Sequence, residues 1–165
     1  MDRSREISLG LWSLLNRTRQ LVYKAIKKEL NQYDITTRRA VILSIVMRLG
    51  GKTTQPEIAR QLFTGRHVVS EQLTRMENEG LIKRFRDTSR KNEVNVEVTE
   101  KGRQLHEKVH IPHTILDTMS ILTEDEVVEL WRILAKLRDN RIRSLGLNPD
   151  NIDLFPPSVL PDYVE

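Results

Sequence analysis

Arg66, His67, Ser70, Glu71 and Thr74 lie in the run RHVVSEQLTRMENEG, interleaved with Val69, Leu73 and Met76. Residues three and four apart are neighbours on a helix, so the apolar three form an inner stripe and the five polar side chains share the outer face. Base edges in a DNA major groove are read by such donors and acceptors, carried on a helix that lies in the groove. A solvated surface helix shows the same pattern, so the chemistry has to be weighed by what flanks the run.

The flanks make a helix-turn-helix of residues 54–80. Thr54 with Glu57 forms a capping box, Pro56 sits in the first turn, where its missing N–H costs nothing, and Ile58, Ala59 and Leu62 give an apolar face. Thr64 and Gly65 break this first helix, and Gly80 stands where a left-handed terminator of the second is expected. Leu81 to Arg86 and Glu93 to Val98 then read as paired strands, the second alternating Val94, Val96 and Val98 with Glu93, Asn95 and Glu97. Between them residues 87–92, DTSRKN, are polar and basic. A basic-tipped hairpin directly after a recognition helix is a wing. From it Arg86, Arg90 and Lys91 are candidates to reach phosphates or the minor groove.

Other elements must position this unit. Residues 7 to about 32 carry Ile7, Leu11, Leu14, Leu15, Val22, Ile26 and Leu30 at steps of three and four, and read as one long helix. Leu9, Trp12 and Leu21 add more apolar surface than one packing partner covers, which calls for a second chain. Asp34 and Ile35 break the pattern. Thr36 or Thr37 caps a helix through Leu49 that is ended by Gly50 and Gly51, and no strand is expected this early. Thr99 opens a helix through Leu105 and Val109 towards a break at Pro112. Leu122, Thr123, Glu126 and Val127 combine a capping box with a hydrophobic staple, and Val127, Leu130, Trp131, Leu134 and Leu137 continue as a stripe towards Ser144.

The expected fold is therefore mainly α with a small β-hairpin wing. Residues 1–35 and 104–146 form a helical dimerisation region, 36–103 a winged helix-turn-helix, and 147–165 a Pro-rich C-terminal tail. The tail holds Pro149, Pro156, Pro157 and Pro161, no basic residue, and apolar anchors at Leu154, Phe155, Leu160 and Tyr163. It is expected to lie extended across the body or a partner subunit.

Composition narrows the class. The 165 residues are 38% hydrophobic and 30% charged, with no cysteine, which excludes disulfides and thiolate chemistry. The N-terminus MDRSREISLG lacks a signal-peptide core and no run is long and apolar enough for a membrane span, so a cytoplasmic location and no membrane partner are expected. Net charge is +4 but uneven: +3 over residues 1–35, +6 over 36–103, −1 over 104–144 and −4 over 145–165. The basic excess surrounds the helix-turn-helix, where a polyanion gains most.

Taken together, Pro56-Glu57-Ile58-Ala59 with Leu62, Leu73-x-x-Met76-Glu77-x-x-Gly80-Leu81-Ile82-x-Arg84, the Asp87 and Arg90 wing and Val98-Thr99-Glu100-Lys101-Gly102 resemble the MarR (multiple antibiotic resistance regulator) family of winged-helix transcription factors. The resemblance covers residues 7 to about 145. It implies a homodimer joined through the N- and C-terminal helices, a pseudo-palindromic double-stranded DNA operator, and repression relieved by a small-molecule effector held between the two layers. Two positions depart from the family pattern. Its wing usually carries Asp-Arg, whereas Ser89-Arg90-Lys91 lacks that acid and, without a gap, puts Lys91 at the usual arginine position. Glu71 stands where many members have a basic residue, and a carboxylate there can accept from cytosine N4.

Metal sensing is a competing class. His106 and His110 lie four apart on an expected helix, with Glu107 adjacent and His113 just beyond Pro112, and two such histidines can share one zinc ion. Zinc-sensing members of the resembled family use histidines from the corresponding helix. A third or fourth ligand is needed and cysteine is absent, so solvated histidines are the favoured account, with no metal site and no cofactor expected. No nucleophile-base-acid set or phosphate-cradling glycine loop is present, which argues against an enzyme. A winged helix used purely for protein interaction is a third class, disfavoured by the basic wing and the polar outer face.

Overall fold

The computed structural model describes residues 2–86 and 93–149. Its elements run α1 (Arg3–Leu30), α2 (Thr37–Arg48), β1 (Lys52–Thr54), α3 (Gln55–Gln61), α4 (Arg66–Asn78), β2 (Ile82–Arg86), β3 (Val94–Val98), α5 (Glu100–Val109), α6 (His113–Met119) and α7 (Glu124–Ser144). The expected fold class holds, with a correction to its sheet. Residues 52–54, expected to lie outside any strand, form β1, and the sheet has the order β1-β3-β2 with both pairings antiparallel.

Helices α1, α2, α3, α5 and α7 start where the side chain of the preceding residue satisfies a free N–H group of the first turn, whereas α4 starts after Gly65 with no side-chain cap. Asp2 accepts from the Ser4 N–H and starts α1 at Arg3, four residues ahead of the apolar stripe. Thr36 accepts from the Arg39 N–H, Thr99 from the Gly102 N–H, and Thr123 with Glu126 forms the complete reciprocal box of α7. The box expected at Thr54 is only half made. Its hydroxyl accepts from the Glu57 N–H at 3.3 Å, but the Glu57 carboxylate turns to Arg60 (2.6 and 2.9 Å) and Gln61 (2.9 Å). Thr54 is already paired to β3 opposite Asn95, so its backbone belongs to the sheet.

Helix α6 was not anticipated from the sequence, and it has no cap of its own. Glu29 on α1 supplies one from 84 residues away, its carboxylate accepting from the His113 N–H at 2.7 Å and from the Thr114 N–H and hydroxyl at 3.0 and 2.7 Å. The Thr114 hydrogen bonds hold this carboxyl below the ordinary glutamate range, against a smaller opposing effect of burial.

One contiguous core joins α2, α3, α4, the sheet and the ends of α1 and α5. Ile42, Leu43, Val46, Ile58, Leu73, Met76 and Val96 have no exposed surface. The junction between α4 and β2 is locked by polar groups as well. Gly80 (φ 71°) ends α4, with the Leu81 N–H returning to the Met76 carbonyl at 2.8 Å. The Thr99 hydroxyl donates to the Gly80 carbonyl at 2.7 Å, and Lys101 Nζ to that of Glu79 at 2.8 Å. Gly102 lets α5 lie against this corner, since a Cβ there would fall 2.1 Å from the Leu81 carbonyl oxygen. Residues 98–102 are thus the fastening of α5 to the end of α4.

Candidate nucleic-acid interface

Helix α4 buries Val69, Leu73 and Met76 at 1% exposure or less, which fixes its rotation. Arg66, His67, Glu71 and Thr74 are consequently exposed on the opposite side, and Ser70 is half-buried beside them. The Thr74 hydroxyl donates to the Ser70 carbonyl at 3.0 Å, one turn back along the helix. His67 folds back over the start of its own helix, its ring within 2.6 Å of where a Gly65 Cβ would stand. A side chain at 65 would displace this ring, and His67 occupies the N-terminal end of the face.

Two contacts that spacing alone did not disclose set how α4 leaves the turn. Gln55 Nε2 donates to the Arg66 carbonyl at 3.0 Å, joining the first residue of α3 to the first of α4. The turn itself is a Schellman-type stop in which the Thr64 N–H reaches the Ala59 carbonyl at 3.1 Å and the Phe63 N–H that of Arg60 at 3.2 Å. Phe63, not a glycine, takes the left-handed position at φ 49°. On the far side of α3, buried Gln61 accepts from Arg48 Nη2 at 3.3 Å while donating to Glu57. Hydrogen bonds from Arg60, foremost, and from Gln61 lower the Glu57 carboxyl from its ordinary range, with desolvation opposing.

The hairpin is tied to the other end of α4. Glu77 accepts from the Arg84 N–H at 3.0 Å and from its guanidinium at 2.6 and 2.8 Å, and these hydrogen bonds lower the Glu77 carboxyl. Arg86, paired opposite Val94, is exposed and borders a groove shared with Glu77 and Phe85. Lys52 Nζ sits 4.8 Å from the centre of the Phe85 ring, adding a cation to this face of the sheet. Arg90 and Lys91, the other two wing candidates, lie outside the described residues, as does the rest of the loop 87–92.

The two candidate zinc ligands do meet. The His106 and His110 rings stack at 5.1 Å, and His110 Nδ1 donates to the carbonyls of Glu107 and His106 at 3.0 and 3.2 Å. Burial, then repulsion from His110, makes His106 harder to protonate than an ordinary histidine. Among the described residues no group of three or more His, Cys, Asp or Glu side chains is placed to hold a metal ion. Nor, among them, is any helix long and apolar enough to cross a membrane.

This architecture has known relatives. The family model described as "MarR family" matches residues 33–91. The chain is 30% identical over 117 residues to the transcriptional regulator TtmR of Methylorubrum extorquens (strain PA1), covering 70% of this chain and 59% of TtmR. It is 29% identical over 126 residues to the regulator MgrA of Staphylococcus aureus, covering 76% and 85%. Among solved structures, the ligand-free organohalide-sensing regulator RdhR-CbdbA1625 superimposes with a TM-score of 0.77 at 27% identity, over 95% of this chain and 94% of that one. A mutant MarR of E. coli complexed with operator DNA shares the fold, with a TM-score of 0.72 at 24% identity over 83% and 99%. The family match falls on the helix-turn-helix and the first hairpin strand, the wider likenesses extend over the flanking helices, and the chain is accordingly similar to transcriptional regulators of the MarR family in both sequence and fold.

Proposed function

We propose that the protein is a homodimeric, sequence-specific DNA-binding regulator that represses transcription until a small ligand relieves it. The observation that carries the reading is the outer face of α4: Arg66, His67, Glu71 and Thr74 exposed and Ser70 half-buried, on a helix pinned at both ends by Gln55 and Arg84. A rigid helix with free donors and acceptors suits base readout, and Arg86 on the hairpin suits the phosphate backbone. In this reading residues 36–103 read DNA, 1–35 and 104–146 join two copies, and Arg90 and Lys91 extend the basic wing.

Dimerisation is supported by the apolar faces left open on the terminal helices. Leu11, Trp12 and Leu14 of α1 are each more than 60% exposed, and Ile133, Leu134 and Leu137 of α7 are 39–53% exposed. Ligand relief is supported by RdhR-CbdbA1625, 28% identical, whose structure holds 2,4-dichlorophenol. A groove of about 380 Å³ between the turn after α1, the end of α4 and α5, lined by Tyr33, Leu81, Leu105 and Lys108 among others, gives a ligand access to both layers. Selection of bound sequences from a random DNA pool tests the reading. A two-fold symmetric site is expected, and enrichment of no sequence, or of an asymmetric single half-site, would count against it.

A further inference from the structure

The end of α7 brings the chain to the DNA-reading unit. Gly146 (φ 72°) closes the helix, the Leu147 N–H returns to the Ile142 carbonyl at 3.2 Å, and Leu147 comes to line a groove formed by α3, the turn and the start of α4. That groove, of about 400 Å³, has apolar walls at Pro56, Ala59 and Phe63 and carries Arg60 and Arg66. Phe63 is 49% exposed at it. Among the described residues Arg66 has no acidic partner, and it belongs to the face proposed to read DNA.

The segment that follows has the complementary composition. Residues 150–165 contain Asp150, Asp153, Asp162 and Glu165, no basic residue, and the apolar pair Leu154-Phe155. Sixteen residues reach at most about 55 Å when extended, whereas the 13 residues of α4 measure roughly 20 Å. The segment starts three residues beyond Leu147, a side chain already on the groove wall, so it has no gap to cross.

We propose that residues 150–165 seat on this groove of their own chain, apolar side chains against Phe63 and Pro56 and carboxylates against Arg66, and thereby compete with the DNA backbone for the entrance to α4. The seat itself stands on the groove and the tail, and only the competition rests on the DNA-reading role of α4. An acidic strap of this kind raises the salt-dependent threshold for binding any duplex and favours operators whose base contacts outweigh it.

The absence of cysteine in the chain makes the test direct. A nitroxide attached through Ser158→Cys in the full-length protein should broaden the amide resonances of residues 60–69 without DNA, and excess duplex should relieve the broadening. Full-length chain carrying Asp150→Asn, Asp153→Asn, Asp162→Asn and Glu165→Gln should lose the broadening and bind a random-sequence duplex roughly threefold to tenfold more tightly, the scale of a few screened ion pairs. No broadening near residues 60–69 overturns the seat, whatever the DNA result. Broadening that appears only when spin-labelled chain is mixed with separately isotope-labelled chain places the segment on a partner copy and overturns the same-chain seat. Broadening that duplex leaves untouched, with no gain in affinity on neutralisation, overturns the competition. A chain that shows the broadening but binds no duplex refutes the DNA-reading role and leaves the seat established.

Discussion

The winged-helix unit and the terminal helices are built to opposite specifications. Between α2 and α5 most large apolar side chains are buried, with Val41, Leu49, Phe63 and Phe85 the exposed exceptions among the described residues, and polar ties at Glu77–Arg84 and Thr99–Gly80 close the corners. Helix α1, by contrast, buries only Leu30 of its 28 residues and α7 only Ile142 of its 21, while Trp12 is 66% and Leu137 53% exposed. Helical propensity alone holds long helices weakly in water, and most of their stability comes from packing an apolar face. One region is therefore complete within a single chain, and the other reaches completion in the proposed dimer.

Substitutions can break this contrast, beginning with the most severe. Leu73→Ala, at a site with no exposed surface, should destabilise the winged-helix unit by about 2–5 kcal/mol in denaturant unfolding, because the cavity cannot refill. A loss below about 1 kcal/mol would mean that this core is softer than its burial implies. Leu11→Asp with Leu15→Asp, on the open face, should instead convert the dimer to single chains in sedimentation at micromolar concentration. These changes should shift unfolding of the winged-helix unit by less than about 0.5 kcal/mol, as for other exposed sites, and a dimer that survives them would show that the open faces are not the joint.

Ser70→Ala sharpens the contrast on the reading side. It should weaken operator binding by about 1–3 kcal/mol while leaving random duplex nearly unchanged, whereas Arg90→Ala should weaken both alike and lower the salt slope by about one contact. Titrations at two salt concentrations separate these outcomes, and the reverse pattern would exchange the roles of helix and wing. The smallest effect belongs to the link between the regions. Glu29→Gln should cost about 1 kcal/mol, the usual worth of a helix cap. Because hydrogen bonds from Thr114 lower this carboxyl in the folded state, its contribution is complete above the unfolded value near 4.5 and disappears as pH falls through the folded value. Amide exchange at residues 113–119 should therefore accelerate in the variant at neutral pH and, in the wild type, only in acid. An acid effect of equal size in Glu29→Gln would exclude this carboxylate as its source.

The helix-turn-helix was legible because its signals are local. Caps, apolar steps and terminating glycines all act within a few residues, and Thr36, Thr99, Thr123 and Gly80 perform as their types and positions imply. What escaped depends on partners distant in sequence. Three residues of β1 cannot show alternation, and Thr53 and Thr54 become strand only because β3 lies alongside. Helix α6 borrows its cap from Glu29, and the Phe63 turn is set by α3 and α4 meeting rather than by a residue that prefers a left-handed conformation. At the interface, the sequence named the face of α4 but not the Gln55 and Arg48–Gln61 contacts that aim it, since an amide side chain gives no hint of which distant group it will meet.

Thr54 is at once the last residue of β1 and the cap of α3, and β1 shares β3 with the hairpin strand β2. A load applied to the paired strands β2 and β3 is therefore delivered to the root of the helix-turn-helix through continuous backbone pairing. The hairpin strands and the helix-turn-helix move as one tool with a fixed bite. In the proposed complex, a bend in the DNA that lifted the wing off the phosphates would also tilt α4 in the groove, so the stiffness of the duplex beneath the wing would enter the selection of sequence even where no side chain touches a base.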